Sequence, residues 1–280
     1  MRSAALVGAR RSRRLSVGLV LLGSVAALAL AARYSAGQPF RPSDALLAPP
    51  SWRHVMGTDA LGREVGTRLL HGAGTALWVA ALSVGLATAF GVAVGMVAGY
   101  VGGLVDDVIL KTAEVFQIVP AFLLALVASA LFGPGLLLLA VVLALIFWPL
   151  TARLARAEVL ALREREFVEA ARALGAGPAR ILLRHLLPAV LPVVVVNASF
   201  QGGTAVLIES GLAFLGLGDR NVVSWGVMLA DAQSYVAVAW WLSVFPGAAV
   251  AVTAIGMNLL GDGLNETWDV RNRNREKGHE

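Results

Sequence analysis

Chemistry in this chain has few residues to rest on. The histidines, His54, His71, His185 and His279, are widely separated and show no metal-ligand spacing. Cysteine is absent, which removes thiol and disulfide chemistry. No nucleophile and base stand in an arrangement above chance. Hydrolysis of ATP needs a lysine after a glycine-rich turn, set between a strand and a helix. The two lysines are Lys111, which follows DDVIL, and Lys277 in the terminal tail. The glycine-rich GLAFLGLGD (211–219) carries no such lysine. The sequence therefore predicts no catalytic residue, no metal and no cofactor held by this chain. Any energy from ATP must come from another chain.

What remains is the chemistry of recognition. EAARALGAGPARILLRHLLP (169–188) is the most charged internal stretch of a very hydrophobic sequence. Residues 165–174 have high helix propensity. Phe167, Ala170, Ala171 and Leu174 fall at i, i+3, i+4 and i+7 and form a narrow apolar stripe. Arg165 and Arg172 are spaced to pair with Glu169. Gly175 is placed to stop the helix, and Gly177-Pro178 to start a second one running to about Leu187. Two readings stand. A short helix with small alanines suits a partner's groove; the same hairpin can also pack on the ends of its own neighbouring spans.

The elements that must position this stretch are membrane helices. The chain has 280 residues, of which 58% are hydrophobic and 15% charged, where a soluble domain carries about a quarter charged. Apolar windows of roughly 20 residues predict an all-α polytopic protein with six spans at 15–34, 76–100, 114–132, 134–153, 188–209 and 239–261. FGPG (132–135) predicts a tight turn between the third and fourth. The basic flank of Arg10, Arg11, Arg13 and Arg14 and the motif AALALAA also fit a cleaved signal peptide. The long apolar run favours a retained anchor.

Arginine and lysine set the expected orientation. They crowd the N-terminal tail (1–14), the 154–187 loop and the C-terminal tail (263–280), which six spans place on one side, the cytoplasm. The segments 35–75 and 210–238 then lie outside, and 76–262 forms a five-helix core. Arg41, Arg53, Arg63 and Arg68 in the first outer segment run against the rule and are outweighed. The net charge of +5 flanks apolar spans instead of forming one aromatic-laced patch, which excludes a nucleic-acid partner.

Spans two to six carry no ionisable residue away from their ends; Gln117, Asn197 and Gln201 are the main polar interruptions. That disfavours a proton- or sodium-coupled transporter. Gly91, Gly95 and Gly99 repeat at four-residue spacing and clear a groove for close helix packing, within the chain or against a second subunit. Pro120, Pro149 and Pro192 are expected near span ends. Tyr235, Trp240 and Trp241 are expected in an outer aromatic belt.

At this point the sequence resembles a known family. Glu169-Ala170-Ala171, Gly175 and the closing Leu187-Pro188 match the EAA loop of binding-protein-dependent ABC importer permeases. MGTDALGREVGTRLLHGA (56–73), GYVGGLVDDVILKTAEVF (99–116), ESGLAFLGLG (209–218), SWGVMLADA (224–232) and FPGAAVAVTAIGMNLLGDGLNETWDVR (245–271) are similar to blocks of the dipeptide, oligopeptide and nickel permeases. Their order is most similar to the second, C-type permease. The resemblance covers roughly residues 15–271. GAGPAR (175–180) departs from the polar or aromatic residues common after the family glycine and bears on the loop's angle.

The resemblance implies the type I ABC importer permease fold. It implies a heterodimer with a second homologous permease, two cytoplasmic ATPases that carry ATP and magnesium, an extracytoplasmic solute-binding protein, and a bacterial or archaeal inner membrane whose lipid surrounds the spans. Carried over residue by residue, it makes Phe167, Glu169, Ala170, Ala171, Leu174, Gly175 and Pro188 the ATPase-coupling residues. For a permease, Asn197, Gln201 and Thr204 are the expected lining of the pathway. Dipeptides or oligopeptides are the expected cargo, with nickel or another small solute as the alternative. A self-contained secondary transporter and a non-transporting receptor are the competing readings from other classes.

Overall fold

A computed structural model of the chain describes residues 2–34 and 37–276, and side chains within 13–34 and 37–268. The expected tail residues Arg2, Arg10, Arg11, Arg271, Arg273, Arg275, Lys277 and His279 therefore have side chains outside the described set. Among the described residues every regular element is helical, and one isolated bridge joins Thr58 to Glu64. A backbone in hydrocarbon has no water to bond, so it satisfies its own polar groups as helix.

In chain order the α-helices are α1 (Arg2–Tyr34), α2 (Val65–Val101), α3 (Gly103–Ile118), α4 (Ala121–Phe132) and α5 (Leu136–Leu162). There follow α6 (Glu166–Ala173), α7 (Pro178–Arg180), α8 (Leu187–Leu212), α9 (Trp225–Ala232) and α10 (Trp241–Glu276). A π-helical turn, Ile181–Leu186, joins α7 to α8, and another, Ala213–Leu217, ends α8. Five helical runs are long and apolar enough to cross a bilayer; α3 and α4, bent by 78°, make a sixth when taken as one span.

Several expected boundaries move. α2 begins at Val65, inside the 35–75 segment expected to lie outside the membrane and ahead of the second span's expected start at residue 76. Its first turns bury Val65, Leu69 and Ala73 against Trp225, Met228 and Trp241, so tertiary packing extends the helix beyond its apolar window. The third span is not one straight helix over 114–132. Pro120 has no N–H to give, and the preceding Val119 takes an extended conformation (φ −88°, ψ 130°), which breaks the helix there. α5 continues to Leu162, so Pro149 sits within a helix rather than near its end; Pro192 likewise lies inside α8. The 210–238 segment is not a simple loop, because it holds the end of α8 and all of α9. Ser224 caps α9 by accepting the Val227 N–H at 3.2 Å. The chain does turn tightly at 133–135, with Gly133 at φ 86°.

The glycine repeat of α2 serves packing within the chain. Gly91 faces Trp148 and Thr151, Gly95 faces the Ala152 backbone, and Gly99 faces Arg156 and Val159. Water-driven burial is absent between helices in lipid, so close backbone approach supplies the van der Waals contact. α1 packs along α10 in the same manner. Gly18 meets the Leu260 backbone, Gly263 meets Leu15, and Arg14 pairs with Glu266 at 2.9 Å. Leu104, Leu131 and Phe132 stay uncovered, as suits side chains bathed in hydrocarbon.

Candidate docking helix and membrane cavity

α6 sits at the end of the bundle where α2 stops and α5 turns. Glu166 and Glu169 occupy its first turn and Arg172 its last, the charge order that a helix dipole favours. Its end is a Schellman motif. The Ala176 N–H reaches the Ala171 carbonyl at 3.0 Å, and the Gly175 N–H reaches that of Arg172 at 2.9 Å. Gly175 stands between them at φ 81°, the left-handed region that a side chain resists.

The helix divides its apolar residues between two faces, which corrects the single stripe expected from spacing. Val168 (0% exposed) and Ala171 are buried with Met96 of α2, Ala155 and Val159 of α5, and Val190 of α8. Phe167 (45% exposed), Ala170 and Leu174 (89% exposed) point away from the protein. Val168 is adjacent in sequence to Phe167 and also apolar. Periodicity alone did not choose between them; the neighbouring helix ends did. Glu169 is exposed and is in none of the ion pairs among the described residues, so the expected pairing with Arg165 or Arg172 does not form. Arg172 instead lies over the Tyr100 ring, 5.5 Å from its centre. Pro188 is exposed in the first turn of α8, apart from this face.

Around this helix the span ends are tied down by charge. Arg156 of α5 grips both carboxylate oxygens of Asp106 in α3, and Arg163 donates to the Gly99 carbonyl at 3.1 Å. A bidentate arginine–carboxylate pair fixes direction as well as distance. These contacts brace the ends of α2, α3 and α5 beside α6.

Deeper in the bundle, Asn197, Gln201 and Thr204 share one face of α8 and line a cavity of about 370 Å³. Gln117 and Pro120, at the break between α3 and α4, also line it and are exposed, so the cavity is open to the outside of the chain. The cavity lining holds no ionisable residue. Asn197 Nδ2 donates to Thr151 Oγ1 at 3.1 Å; Gln201 Nε2 donates to the same oxygen at 3.2 Å and to the Phe147 carbonyl at 3.0 Å. Thr204 donates to the Phe200 carbonyl at 3.1 Å and is exposed. All three residues expected from sequence thus come together, and Gln117 joins them.

The opposite end carries an ion cluster that reading along the sequence did not find. Asp59 accepts the backbone N–H groups of Leu61 and Arg63, each at 2.9 Å. Its other oxygen pairs with Arg63 at 2.6 Å and Arg68 at 2.7 Å. Both arginines also reach Asp231 of α9, at 3.2 and 3.0 Å. Arg63 and Arg68, two of the four cations that ran against the charge rule, are thus neutralised by two carboxylates. Asp231 is more than 160 residues away from both, so no local pattern could have paired them. Trp241, expected in an aromatic belt, is buried beside this cluster and donates to the Thr58 carbonyl at 3.2 Å. Trp240 remains exposed, and Tyr235 lines the cleft above Arg68. Glu209, at the edge of an expected span, is buried near the end of α8 and accepts from Ser210 Oγ at 3.2 Å.

Comparison with known proteins gives a consistent picture. Residues 91–274 match the model of the family described as binding-protein-dependent transport system inner membrane component. A Brucella suis protein named as a peptide permease is 38% identical over 268 residues, covering 93% of this chain and 88% of that protein. The dipeptide transport system permease protein DppC of Escherichia coli is 39% identical over 273 residues, covering 94% of this chain and 90% of that protein.

Proposed function

The chain belongs to the family of binding-protein-dependent transport system inner membrane components, and from that premise we propose that it is the C-type permease of an ATP-driven importer of dipeptides or oligopeptides. It forms the membrane pathway with a second, homologous permease. Two ATPases bind at the α6 end, which faces the cytoplasm together with both termini. A solute-binding protein docks at the other end, over residues 37–64 and α9. ATP and magnesium are held by the ATPases.

One observation carries this reading: α6 buries Val168 and Ala171 in its own protein while presenting Phe167, Ala170 and Leu174 outward beside an unpaired Glu169. The same helix thus has an anchoring face and an uncommitted apolar face. In the proposed complex Phe167 and Leu174 enter a groove of the ATPase, small Ala170 allows close approach, and Glu169 accepts hydrogen bonds there. When ATP closes the ATPase pair, α6 is drawn along with it. Val168 and Ala171 pass the displacement to the ends of α2, α5 and α8, and nucleotide shifts the population between inward-open and outward-open states. The cavity at Gln201 is then a stage of the pathway.

The test is transport by the complete system with Glu169→Lys or Gly175→Asp. Both positions are exposed and a Cβ at Gly175 meets nothing within 4 Å, so neither change disturbs the spans. The strain at Gly175, about 1–2 kcal/mol for a left-handed residue, falls on the aim of α6 alone. Each variant is expected to lose about tenfold or more in ATP-coupled uptake with normal membrane insertion. Normal coupling in both would sink the docking assignment.

A further inference from the structure

We propose that the outer end of α8 carries a cation site, in which Glu209, Asp219, Ser129 and Ser224 hold one calcium ion. The site shares no residue with the cavity at the α3–α4 break. It takes from the reading above only the orientation, which puts this end outside the cytoplasm, where calcium is far more plentiful.

Glu209 stands in the last turn of α8 and is 3% exposed. Ser210 Oγ donates to one of its oxygens at 3.2 Å, and Ser224 supplies a second hydroxyl beside it. The space that Glu209 borders is lined by no arginine, lysine or histidine. A buried carboxylate without a counter-charge is costly, and inside a membrane protein it points to a bound partner. Asp219 lines the same space from the loop after α8, with one oxygen turned to the Asn221 N–H at 2.9 Å.

Ser129 of α4 is an independent sign of a ligand. It lines this space and is 7% exposed. A hydroxyl buried in a helix commonly donates to the carbonyl four residues back, as Ser83, Thr151 and Ser199 do here. The Ser129 hydroxyl makes no such bond and has no other partner among the described residues. A buried polar group left unpaired in this way calls for a reason.

Size and ligand type select the ion. The space measures about 10 Å³, room for a single water or ion. Its polar side chains offer oxygen alone, from two carboxylates and two hydroxyls, which suits a hard cation. Sodium would balance one of the two negative charges, whereas a divalent ion balances both. Magnesium gives up its water reluctantly, and this space leaves no room for the waters it keeps; calcium accepts irregular sets of oxygens. The bound ion would join α4 and the end of α8 to the Ser224 turn that starts α9.

The experiment uses the full chain, purified in uncharged detergent, stripped with a chelator and dialysed against calcium-45 in potassium chloride. One saturable ion per chain is the expected result for the wild type. Glu209→Gln and Ser129→Ala should each weaken binding by about tenfold or more. Asp44→Asn, which removes an exposed acid of the outer segment, should bind as the wild type does. Should Glu209→Gln fail to fold, Asp219→Asn on the loop takes its place with the same expected loss. A wild type that retains no calcium, as when Glu209 simply holds a proton, overturns the assignment. Wild-type affinity in Glu209→Gln, or displacement of calcium by an equal concentration of sodium or magnesium, overturns it too. Binding by the solubilised chain needs neither a partner nor transport, so the importer reading stands or falls separately.

Discussion

Replacing Gly95 by leucine is expected to abolish accumulation of folded protein in the membrane. A Cβ at this position would lie 2.2 Å from the Ala152 carbonyl oxygen and 2.8 Å from the Ala152 Cα. Both atoms belong to the backbone of α5 and cannot swing aside as a side chain can. The helices would have to separate, and the seam they share also includes Gly91 against Trp148 and Gly99 against Arg156, each within 2.8 Å of a Cβ. Overpacking typically costs about 1–3 kcal/mol, and a backbone collision along a whole seam lies at or above the top of that range. Gly85, on the same helix, supplies the control, because a Cβ there meets nothing within 4 Å. Helix propensity makes Gly→Ala favourable by up to about 1 kcal/mol where space permits. Gly85→Ala should therefore hold or raise the melting temperature in detergent, while Gly95→Ala lowers it and Gly95→Leu leaves little folded protein to measure. Equal behaviour of the two alanine variants would contradict this account of the α2–α5 contact.

Arg68→Met is expected to detach the 37–64 segment from α9. Arg68 is 2% exposed and holds Asp59 and Asp231 together. Removing Arg68 leaves two carboxylates to the single charge of Arg63, which keeps its bonds to both; breaking a buried pair outright costs about 3–5 kcal/mol, and the retained Arg63 bonds put this loss at or below the low end of that range. Asp59 also orders the turn at 59–63 through the N–H groups of Leu61 and Arg63, so the loss spreads into that turn. The measurements are protease sensitivity of 37–64 and stimulation of ATP hydrolysis by the loaded binding protein. Arg68→Met should cleave faster there and lose most of the stimulation. Arg63→Met should have a smaller effect, because the Arg63 side chain keeps 15% of its surface in solvent against 3% for Arg68. Unaltered cleavage and stimulation in Arg68→Met would show that the cluster does not hold this segment.

Much of the architecture was legible because a bilayer imposes strong rules on a sequence. An apolar window long enough to span must be helix, and the glycines at 91, 95 and 99 can only lie on one face of it. What they pack against was open between the same chain and a second subunit, and proximity to Trp148, Ala152 and Arg156 decided it. Asn197, Gln201 and Thr204 were legible as a polar interruption in an apolar helix. Gln117 was visible too, but its place beside them depends on the bend at Pro120. Trp241 was misplaced because composition at a span end suggests an interfacial ring, whereas the Thr58 carbonyl and Gly57 draw it inside.

The sequence by itself determined that this is an all-helical membrane protein with a charged hairpin between two spans and with no lysine after a glycine-rich turn. Those properties follow from residue types and short spacings, which act locally. Only the tertiary structure decided which apolar residues of the hairpin helix are spent inside and which are left outside. Phe167 and Val168 differ by one step around the helix, and either could face the bundle by hydropathy alone. The ends of α2, α5 and α8 form the cluster that covers Val168 and Ala171, and so leave Phe167, Ala170 and Leu174 turned outward. The Asp59–Arg68–Asp231 cluster is of the same kind, since opposite charges find each other through folding and not through their spacing in the chain.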